Sequence, residues 1–462
     1  MTACRVVVGV DSSTQSTTVE VRDAGSGELV GRASVANEPV HPPVAEQDPL
    51  DWWAAFGSAW SAVGAPDVAA ISVAGQQHGL VLLDDAGDPV RPAKLWNDTT
   101  SAPQAERLVA ALGAERWAEA TGTVPVPSIT ITKLAWVAEH EPELLARTAR
   151  VMLPHDYLTW RLTGEHVTDR GDASGTGWYD PSTGELVGEF LEAAVGSWAG
   201  AVPRVLGPDE VAGELTADAA GALGLPVGIT IAPGSGDNMG AAMGLGLRPG
   251  DVAISLGTSG TVFAVSATPT HDTTAAVAGF ASATGTFLPL VCTLNATKVT
   301  DTVARWLGTD PPGLASMALA AVGDPGSVSL VPYFDGERTP NLPDATGSLL
   351  GLTNATTRDQ LALAAHDGVL RGLLHGVDAL RAVGATVDGR IFLVGGGARS
   401  AAYRQRCADL IGGPVIVPAS DETVATGAAA QAAAVHEGVT LDEVATRWKL
   451  GAGTEVAPSA PS

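Results

Sequence analysis

The sequence predicts an α/β protein made of two related halves with a cleft between them. At 462 residues the chain is about three times the size of a usual domain. A hairpin pattern, VVVGVDSSTQSTTVEVRD at 6–23, returns as DVAISLGTSGTVFAVS at 251–266, so that Asp11 corresponds to Ser255. Strand and helix patterns alternate along the chain, as an α/β fold requires. The repeat predicts one domain for each hairpin, and chance similarity between two hairpins is the alternative.

An excess of acidic side chains excludes several classes of partner. Lys and Arg total 26 against 51 Asp and Glu, which gives a formal net charge of −25. A field of that sign repels nucleic acids and anionic lipids. The apolar runs are far shorter than the roughly 20 residues of a membrane span. We therefore expect neither a nucleic-acid partner nor a membrane partner.

The three cysteines, Cys4, Cys292 and Cys407, are odd in number and far apart. Their spacing fits neither a disulfide framework nor a metal site. The N-terminus also lacks the basic and apolar stretches of a signal peptide. These features predict a cytoplasmic protein.

Local patterns predict the elements that carry the polar motifs. Helices are predicted within 46–64, 358–380 and 422–438, two strand runs within 67–84, and a strand, a glycine turn and a helix within 389–412. The run LRPGD at 247–251 reads as a break before the second hairpin. We expect a first domain at 1–240, a second at 241–450 and a flexible tail at 451–462.

The turn DSSTQS at 11–16 combines a carboxylate with four hydroxyl groups between two strands. Backbone N–H groups and hydroxyls in such a turn can face a phosphate, which makes Ser13, Thr14 and Gln15 candidates for nucleotide contacts. Asp11 would repel that phosphate unless a cation lay between them, and Mg²⁺ bridges one carboxylate, water and phosphates in this way. An ordinary polar hairpin turn is the alternative.

Two glycine-rich loops in the second half are further candidates for the nucleotide site. In SLGTSG at 255–260, Gly257 lets the backbone approach a ligand, and Thr258 and Ser259 can donate to phosphate oxygens. In VGGGARS at 394–400, Gly395, Gly396 and Gly397 follow a buried strand and precede a helix. Neither loop matches the dinucleotide fingerprint, and the chain has no Walker A lysine motif. Ordinary glycine turns are the alternative.

The segment APGSGDNMGAAMG at 232–244 places Asp237 and Asn238 before a predicted helix, close to the expected domain boundary. A carboxylate there can accept the proton of a substrate hydroxyl that attacks the γ-phosphorus of a nucleotide. Asn238 would hold a neighbouring hydroxyl. A role for Asp237 as a helix N-cap is the alternative.

Two polar segments in the first half have the residue types of a polyol site. GQQHG at 75–79 interrupts a buried strand pattern with Gln77 and His78, whose side chains are short directional donors and acceptors. LWNDTTS at 95–101 adds Trp96, whose indole face suits sugar C–H groups, and Asp98, whose carboxylate suits hydroxyls. A structural histidine and a tryptophan anchor at a strand end are the alternatives.

Together these motifs resemble the FGGY family of carbohydrate kinases. The family shares the α/β, two-domain ATPase fold of actin, Hsp70 and hexokinase, a ribonuclease H-like fold with an interdomain active-site cleft. SITITKLAWVAEH at 128–140 is similar to the family's N-terminal signature. GSLLGLTNATTRDQLALAAHDG at 347–368 is similar to its C-terminal signature, with His366 where an apolar residue is usual. GQQHG and GERTP at 336–340 resemble most closely the members that act on xylulose.

The resemblance implies an ATP- and Mg²⁺-dependent enzyme that phosphorylates D-xylulose at O5, giving D-xylulose 5-phosphate and ADP in xylose catabolism. It assigns the sugar to the first domain and ATP to the second. Asp237 matches the catalytic base, and Asp11 matches the acidic residue that holds Mg²⁺. Two positions depart from the family pattern, because Ser13 replaces a frequent glycine and Gln77 replaces a frequent methionine.

Other interpretations stay open at this stage. The same fold could act on another ketose or polyol, such as ribulose, gluconate, fuculose or glycerol. A non-catalytic, nucleotide-gated sugar-binding protein is an alternative from a different class, although the acidic residues Asp11 and Asp237 favour a kinase. A homodimer is a candidate assembly.

Overall fold

The computed structural model describes residues 5–64 and 67–459 of the chain. Cys4 lies outside the described residues, as do the last three positions of the predicted tail. Cys4 is one of the three cysteines from which a cytoplasmic location is predicted.

The first half contains β1 (Val6–Ser12), β2 (Ser16–Asp23), β3 (Leu29–Ala36), β4 (Glu46–Gln47), α1 (Pro49–Val63), β5 (Val68–Gly75), β6 (Val81–Leu83), β7 (Ala93–Lys94), α2 (Ala102–Leu112), α3 (Ala114–Thr121), α4 (Thr130–His140), α5 (Pro142–Arg147), β8 (Arg150–Met152), α6 (Pro154–Thr163), β9 (Val167–Asp169), α7 (Arg170–Ala173), α8 (Gly188–Val195), β10 (Arg204–Leu206), β11 (Gly213–Glu214), α9 (Ala217–Leu223), β12 (Thr230–Ile231), β13 (Ser235–Gly236) and α10 (Asp237–Gly244). The second half contains β14 (Val252–Leu256), β15 (Gly260–Ala264), β16 (Ala278–Ala281), β17 (Phe287–Thr293), α11 (Thr297–Trp306), α12 (Pro311–Ala320), β18 (Ser329–Val331), β19 (Ser348–Leu350), α13 (Arg358–Ala382), β20 (Ile391–Val394), a 3₁₀ turn (Gly396–Arg399), α14 (Ala401–Ile411), β21 (Val415–Pro418), α15 (Val424–Glu437), α16 (Leu441–Trp448) and β22 (Gly453–Val456).

Each half is built on a seven-stranded sheet. The first sheet has the order β11-β12-β5-β1-β2-β3, with β13 also paired to β5, and the second has the order β16-β17-β15-β14-β20-β21-β22. In both sheets the opening hairpin is antiparallel, and its first strand pairs in parallel with a later strand, β5 or β20. The predicted α/β fold of two related halves is confirmed.

The register of the parallel strands brings the polar motifs together at one edge of each sheet. Ser12 pairs with Gly75, and Gly75 also pairs with Gly236, so the turn after β1, the GQQHG segment and the start of α10 are neighbours. In the second sheet Ser255 pairs with Val394, which places the two glycine-rich loops side by side. Because carboxyl ends of parallel strands share an edge, ligands of α/β proteins commonly bind there.

Helix α1 shows how local sequence determines an element. Asp48 caps the helix by accepting from the backbone N–H of Leu50, and Pro49 occupies the first turn, where its missing N–H has no helical partner to lose. Trp52 and Phe56 lie one turn apart and are buried in the core of the first half. The helix prediction for 46–64 is confirmed.

The chain returns to the first half near its end. Helices α15 and α16 lie inside the range 241–450 that the sequence assigns to the second domain, yet Ala429 and Trp448 share a buried cluster with Val7 of β1. Close approach is allowed by Gly9, where an added Cβ would lie 1.9 Å from the backbone oxygen of Ala425. The boundary expected from sequence therefore does not describe the packing of these two helices, because small residues let them cross onto the first sheet.

The predicted flexible tail at 451–462 needs a similar correction. Strand β22 pairs antiparallel with β21, with Val456 opposite Val415, and extends the second sheet. Val456 also packs against the core of the second half. The segment has few apolar residues, so its sequence pattern alone did not indicate a strand.

The cores follow the two sheets. One buried cluster lies between the first sheet and α1, α6 and α9, and another between the second sheet and α11 to α14. A third cluster contains Trp117 and Phe190 from the helical part of the first half and Phe263 and Phe392 from the second sheet, so it joins the two halves. Within 5–64 and 67–459, no helix combines the length and apolar character that crossing a bilayer requires.

Candidate active site

Two cavities meet where the halves face each other. The smaller has a volume of about 460 Å³ and the larger about 770 Å³, and the side chain of Gln15 lines both. The smaller cavity is lined by residues of both halves, including Gln77 and Asp237 from the first and Ser255 and Arg338 from the second. The larger cavity belongs almost entirely to the second half. A ligand in one cavity can therefore meet a ligand in the other at the Gln15 turn.

The turn between β1 and β2 is held in place by side chains from neighbouring elements. Thr14 donates its hydroxyl hydrogen to Gln76 Oε1 at 2.8 Å and accepts from Trp96 Nε1 at 3.0 Å. Its carbonyl oxygen accepts from Gln47 Nε2 at 3.0 Å, and that of Ser13 accepts from Asn37 Nδ2 at 2.7 Å. The turn is therefore preorganised before any ligand arrives.

Gln77 and His78 form one wall of the smaller cavity. Their side chains can lie there because the neighbouring segments have glycines, Gly236 and Gly175, at the points of contact. An added Cβ at Gly236 would lie 2.5 Å from Gln77 Cγ, and one at Gly175 would lie 1.9 Å from His78 Cε1. His78 has a φ of 63°, a left-handed conformation that side chains rarely adopt and that concentrates at functional sites. Burial lowers the pKa of His78 well below its usual value, with smaller effects of the Lys133 and Arg338 charges, so its imidazole is neutral.

Asp237 is the first residue of α10 and faces the smaller cavity. Its Oδ1 accepts from the backbone N–H of Asn238 at 2.8 Å and from Asn238 Nδ2 at 2.9 Å. Within the described part of the chain, no other residue donates a hydrogen bond to Oδ2. Burial raises the pKa of Asp237 to about 7, the nearby Asp172 charge also raises it, and local hydrogen bonds lower it. A carboxylate with this pKa and a free oxygen is suited to accept a proton near neutral pH.

Asp11 lies beneath the turn and is buried, with only 8% of its surface exposed. Its Oδ1 accepts from Ser13 Oγ at 2.5 Å. Burial raises the pKa of Asp11 well above its usual value, and the negative charges of Glu422 and Asp237 act in the same direction. Because Glu422 and Asp237 disfavour the ionised form of Asp11, a divalent cation beside this carboxylate would relieve the repulsion.

The larger cavity has a polar end and an apolar end. Gly257 and Thr258 line it beside Gln15, and Gly396 and Gly397 face them from the second glycine loop. Thr297 at the start of α11 donates its backbone N–H and its hydroxyl to Gly257 O at 3.0 and 2.9 Å, which fixes that loop.

Side chains of α12, α13 and α14 make the apolar end. Leu314 and Ala315 line it together with Tyr403 and His366, whose rings are 4.6 Å apart. Tyr403 Oη lies 3.1 Å from Thr300 Oγ1, so its ring is fixed. Sequence reasoning missed Tyr403 and noted His366 only as a departure from a family signature. A planar, partly apolar group such as a nucleobase fits this end.

Two residues predicted from the sequence to contact ligands, Asp98 and Gly395, do not line the cavities expected for them. Asp98, expected to contact sugar hydroxyls, is fully buried and accepts from the backbone N–H groups of Ala45 and Thr100 and from Lys94 Nζ. Its local hydrogen bonds stabilise the ionised form and lower its pKa, although burial, the largest single influence, acts the other way. Asp98 therefore holds the loop that presents Trp96, which does line the cavity.

Gly395, expected in the nucleotide loop, does not line the larger cavity. An added Cβ there would lie 2.8 Å from Leu256 O, so this glycine allows β20 to pack closely against β14. Ser13, Thr14 and Ser259, predicted to contact the nucleotide, line the smaller cavity close to its junction with the larger one.

Arg338 is a candidate site residue that sequence reasoning missed. It lines the smaller cavity from the second half, and its Nη2 lies 3.3 Å from Ser128 Oγ of the first half. Buried Glu337 fixes its loop by accepting from the backbone N–H groups of Arg338 and Leu294 at 2.8 and 2.6 Å. The GERTP run contains this arginine, but nothing local to the run indicates that it crosses to the other half.

Comparison with known proteins decides the family. The description "FGGY family of carbohydrate kinases, N-terminal domain" matches residues 6–244, and the corresponding C-terminal domain matches residues 252–436. This chain belongs to the FGGY family of carbohydrate kinases. The resemblance found in the sequence and the expected kinase class are confirmed, and the two-domain fold is the one that the family shares.

Three similar proteins carry one name. A xylulose kinase from Streptomyces coelicolor is 49% identical over 454 residues, which cover 97% of this chain and 92% of that protein. A xylulose kinase from Streptomyces rubiginosus is 48% identical over 452 residues, with the same coverage of 97% and 92%. The crystal structure of xylulose kinase from Bifidobacterium adolescentis has a TM-score of 0.85 and 42% identity, and covers 96% of this chain and 99% of that one. This FGGY kinase therefore matches proteins of that name over nearly its full length.

Proposed function

We propose that this FGGY kinase transfers the γ-phosphate of ATP to O5 of D-xylulose, forming D-xylulose 5-phosphate and ADP. The observation that carries the proposal is the position of Asp237, which lines a cavity that meets the larger cavity at Gln15. The names of the relatives at 48–49% identity support xylulose as the acceptor. In this proposal the smaller cavity binds the sugar and the larger binds ATP.

Asp237 is the proposed general base. Asn238 holds Oδ1 with two hydrogen bonds, so the carboxylate cannot turn freely, and Oδ2 accepts the proton of the 5-hydroxyl as O5 attacks phosphorus. Gln77, His78 and Trp96 orient the sugar from one side, and Arg338 faces it from the other half. Phosphoryl transfer depends mainly on such positioning and on stabilisation of charge on the transferred group.

The turns that follow β1 and β14 provide the phosphate contacts in this proposal. Thr258 and Ser259 have hydroxyl groups at the junction of the cavities, and Gly257 leaves the backbone accessible. Thr14 lies beside them, with its hydroxyl hydrogen donated to Gln76. The donors sit where negative charge develops on the transferred phosphoryl group, which is where stabilisation lowers the barrier.

Asp11 is the proposed residue for Mg²⁺. The carboxylate, the Ser13 hydroxyl and the repulsion from Glu422 and Asp237 fit a hydrated cation. No group of three or more acidic, histidine or cysteine side chains among the described residues forms a closed metal cage. This agrees with an ion held through one carboxylate, water and phosphates. When bound, Mg²⁺ would neutralise charge on the phosphates of ATP.

The proposed enzyme works in the cytoplasm as a catalyst of sugar catabolism. Cys292 and Cys407 are free thiols in the described structure, which agrees with a reducing compartment. Cys292 lines the sugar cavity, so its oxidation would add bulk where the substrate binds.

A substrate panel tests the proposal. ADP release is measured with ATP and Mg²⁺ for D-xylulose, D-ribulose, L-fuculose, D-gluconate and glycerol, with the Asp237→Asn variant as the control for each active sugar. We expect the highest kcat/KM for D-xylulose and loss of that activity in the variant. Preference for another sugar would change the substrate but keep the kinase. Sugar binding without turnover of any substrate would favour the non-catalytic alternative.

A further inference from the structure

A row of polar side chains connects a buried carboxylate to the proposed base. His78 Nδ1 lies 3.3 Å from Asp172 Oδ1, and His78 Nε2 lies 3.4 Å from Gln77 Nε2. Gln77 Oε1 accepts from Asn238 Nδ2 at 2.6 Å, and the same Nδ2 donates to Asp237 Oδ1 at 2.9 Å. The row thus runs from Asp172 through three neutral side chains to Asp237.

Asp172 is itself part of a buried charged cluster behind the sugar cavity. Its side chain is fully buried, and its Oδ1 also accepts from the backbone N–H of His78 at 3.3 Å. His155 Nε2 lies 3.1 Å from Asp156 Oδ1, 3.2 Å from Asp169 Oδ1 and 3.6 Å from Asp172 Oδ2. These carboxylates raise the pKa of His155 to about 9 against the opposing effect of burial, so the cluster contains a cation among three acidic groups. Burial raises the pKa of Asp172 to about 7, and the His155 charge opposes this effect, so Asp172 carries a negative charge above that pH.

The directions of the hydrogen bonds follow from this charge. A carboxylate beside Nδ1 favours the tautomer of His78 that carries its proton on Nδ1, because the N–H dipole then points at negative charge. Nδ1 makes no hydrogen bond with any described residue although Asp172 Oδ1 lies 3.3 Å away, so the interaction between them is mainly electrostatic. Nε2 is then an acceptor, and it can only receive a hydrogen bond from Gln77 Nε2. That donation turns Gln77 Oε1 toward Asn238, whose Nδ2 must point at both Gln77 and Asp237.

We propose that Asp172 is a positioning residue: by setting the tautomer of His78 it fixes the orientations of the Gln77 and Asn238 amides, and so holds Asp237 with Oδ2 toward the sugar. With the opposite tautomer, His78 Nε2 would carry a hydrogen and Gln77 would have to flip. Gln77 would then present its NH₂ group to Asn238, Asn238 would flip in turn, and its oxygen would face Asp237 Oδ1. This inference rests on the proposed function, in which Asp237 is the general base.

The tautomer of His78 can be measured directly. Side-chain ¹⁵N spectra of the full-length protein are recorded near pH 8, and the His78 signals are assigned as those lost in His78→Gln. We expect Nδ1 protonated and Nε2 unprotonated in the parent protein, and a shift of the proton toward Nε2 in Asp172→Asn. Asp251→Asn is the matched control, since Asp251 is also a buried aspartate but pairs with Arg390 away from the row. A parent protein with the proton on Nε2, or an Asp172→Asn spectrum like the parent's, would overturn the proposal.

Kinetics test whether the row acts on turnover. A small misplacement of a reacting group lowers rates by up to about a hundredfold, so we expect Asp172→Asn to reduce kcat by about 10- to 100-fold. Gln77→Met cuts the row at its centre while conserving volume. If Asp172 acts through Gln77, then Asp172→Asn added to Gln77→Met lowers kcat much less than it does alone. Equal effects in both backgrounds would contradict the proposal.

Two outcomes separate this inference from the proposed function. If Asp237→Asn turns over sugar normally, the proposed base is wrong, whereas the measured tautomer still tests the hydrogen-bond row. If Asp172→Asn does not fold, the spectrum of the parent protein and the Gln77→Met variant remain as tests. In Gln77→Met the His78 proton should stay on Nδ1, because Asp172 is unchanged. A proton found on Nε2 in this variant would contradict the proposal that Asp172 sets the tautomer.

Discussion

At the scale of single residues, Asp237 uses its two carboxylate oxygens differently. Oδ1 is held by Asn238, and in the proposed function Oδ2 accepts the proton of the substrate. We expect Asp237→Asn to retain sugar binding but to lower kcat by at least about 10³-fold, because the variant keeps the shape and loses the proton acceptor. Single-turnover phosphate transfer and calorimetric sugar binding check the two halves of this prediction. Asp218→Asn is the control, since Asp218 occupies the first turn of α9 as Asp237 does in α10. Normal turnover in Asp237→Asn would remove the residue from this role.

The raised pKa of Asp237 predicts the pH dependence of the reaction. A pKa of about 7 means that the carboxyl group is increasingly protonated below pH 7, where it cannot accept a proton. We expect kcat/KM for the sugar to fall about tenfold per pH unit on the acid side of this pKa. Asp156 and Asp172 also have pKa values of about 7. The pH profile of the residual activity of Asp237→Asn distinguishes these groups. If Asp237 causes the fall in kcat/KM below pH 7, the variant should no longer show that fall. If the buried cluster causes it, the variant should still show it.

At the scale of elements, glycines decide how closely the site segments approach one another. Gly175 follows α7 and lies against the His78 ring, where an added Cβ would be 1.9 Å from Cε1 and 2.0 Å from Nδ1. We expect Gly175→Ala to displace the imidazole and to raise the KM for sugar more than the KM for ATP. Gly188→Ala at the start of α8 is the matched control, because an added Cβ there meets open space. Steady-state kinetics with each substrate varied in turn will distinguish the two variants. An unchanged KM for sugar in Gly175→Ala would contradict the predicted contact with His78.

The packing of α15 on the first sheet gives a stability prediction. A Cβ at Gly9 would overlap the backbone of Ala425, and backbone cannot move aside as a side chain can. We expect Gly9→Ala to lower the free energy of unfolding by about 1–3 kcal/mol or more. Gly57→Ala in α1 has free space for its Cβ, and an alanine in a helix interior should raise that free energy by about 0.5–1 kcal/mol. Denaturant titrations test both signs, and equal stability of the two variants would argue against close packing of α15.

At the scale of the whole molecule, the reaction depends on two halves meeting across a cleft. Arg338 of the second half and Ser128 of the first are already in contact at 3.3 Å, beside the sugar cavity. Without sugar, water can occupy the smaller cavity, so we expect slow hydrolysis of ATP. When D-xylulose is present, we expect rapid transfer of the γ-phosphate to the sugar instead. Measurement of ADP release with and without sugar tests this prediction. The Asp237→Asn variant is the control that shows whether Asp237 also acts as the base in ATP hydrolysis. Complete absence of hydrolysis would show that ATP binds productively only after the sugar has bound.

Much of this architecture follows from short stretches of sequence. The paired hairpins, the buried strand before GQQHG and the capped helix α1 depend on neighbouring residues, so local pattern predicts them. The same holds for the residue types of the site, since Gln77, His78 and Asp237 lie at strand ends that parallel pairing brings to one edge. Asp98 shows the limit, because its chemistry suits a sugar but its side chain turns inward to Ala45 and Lys94.

What the sequence determined by itself is therefore the kinase family, the two related sheets and most of the side chains that face the cleft. Only the tertiary structure decided that Arg338 reaches the smaller cavity, that α15 packs on the first sheet, and that Asp172 lies beside His78. The physical reason is distance along the chain. Strand pattern and turn chemistry act between near neighbours, whereas these contacts join residues tens to hundreds of positions apart, and their geometry exists only once both halves have packed.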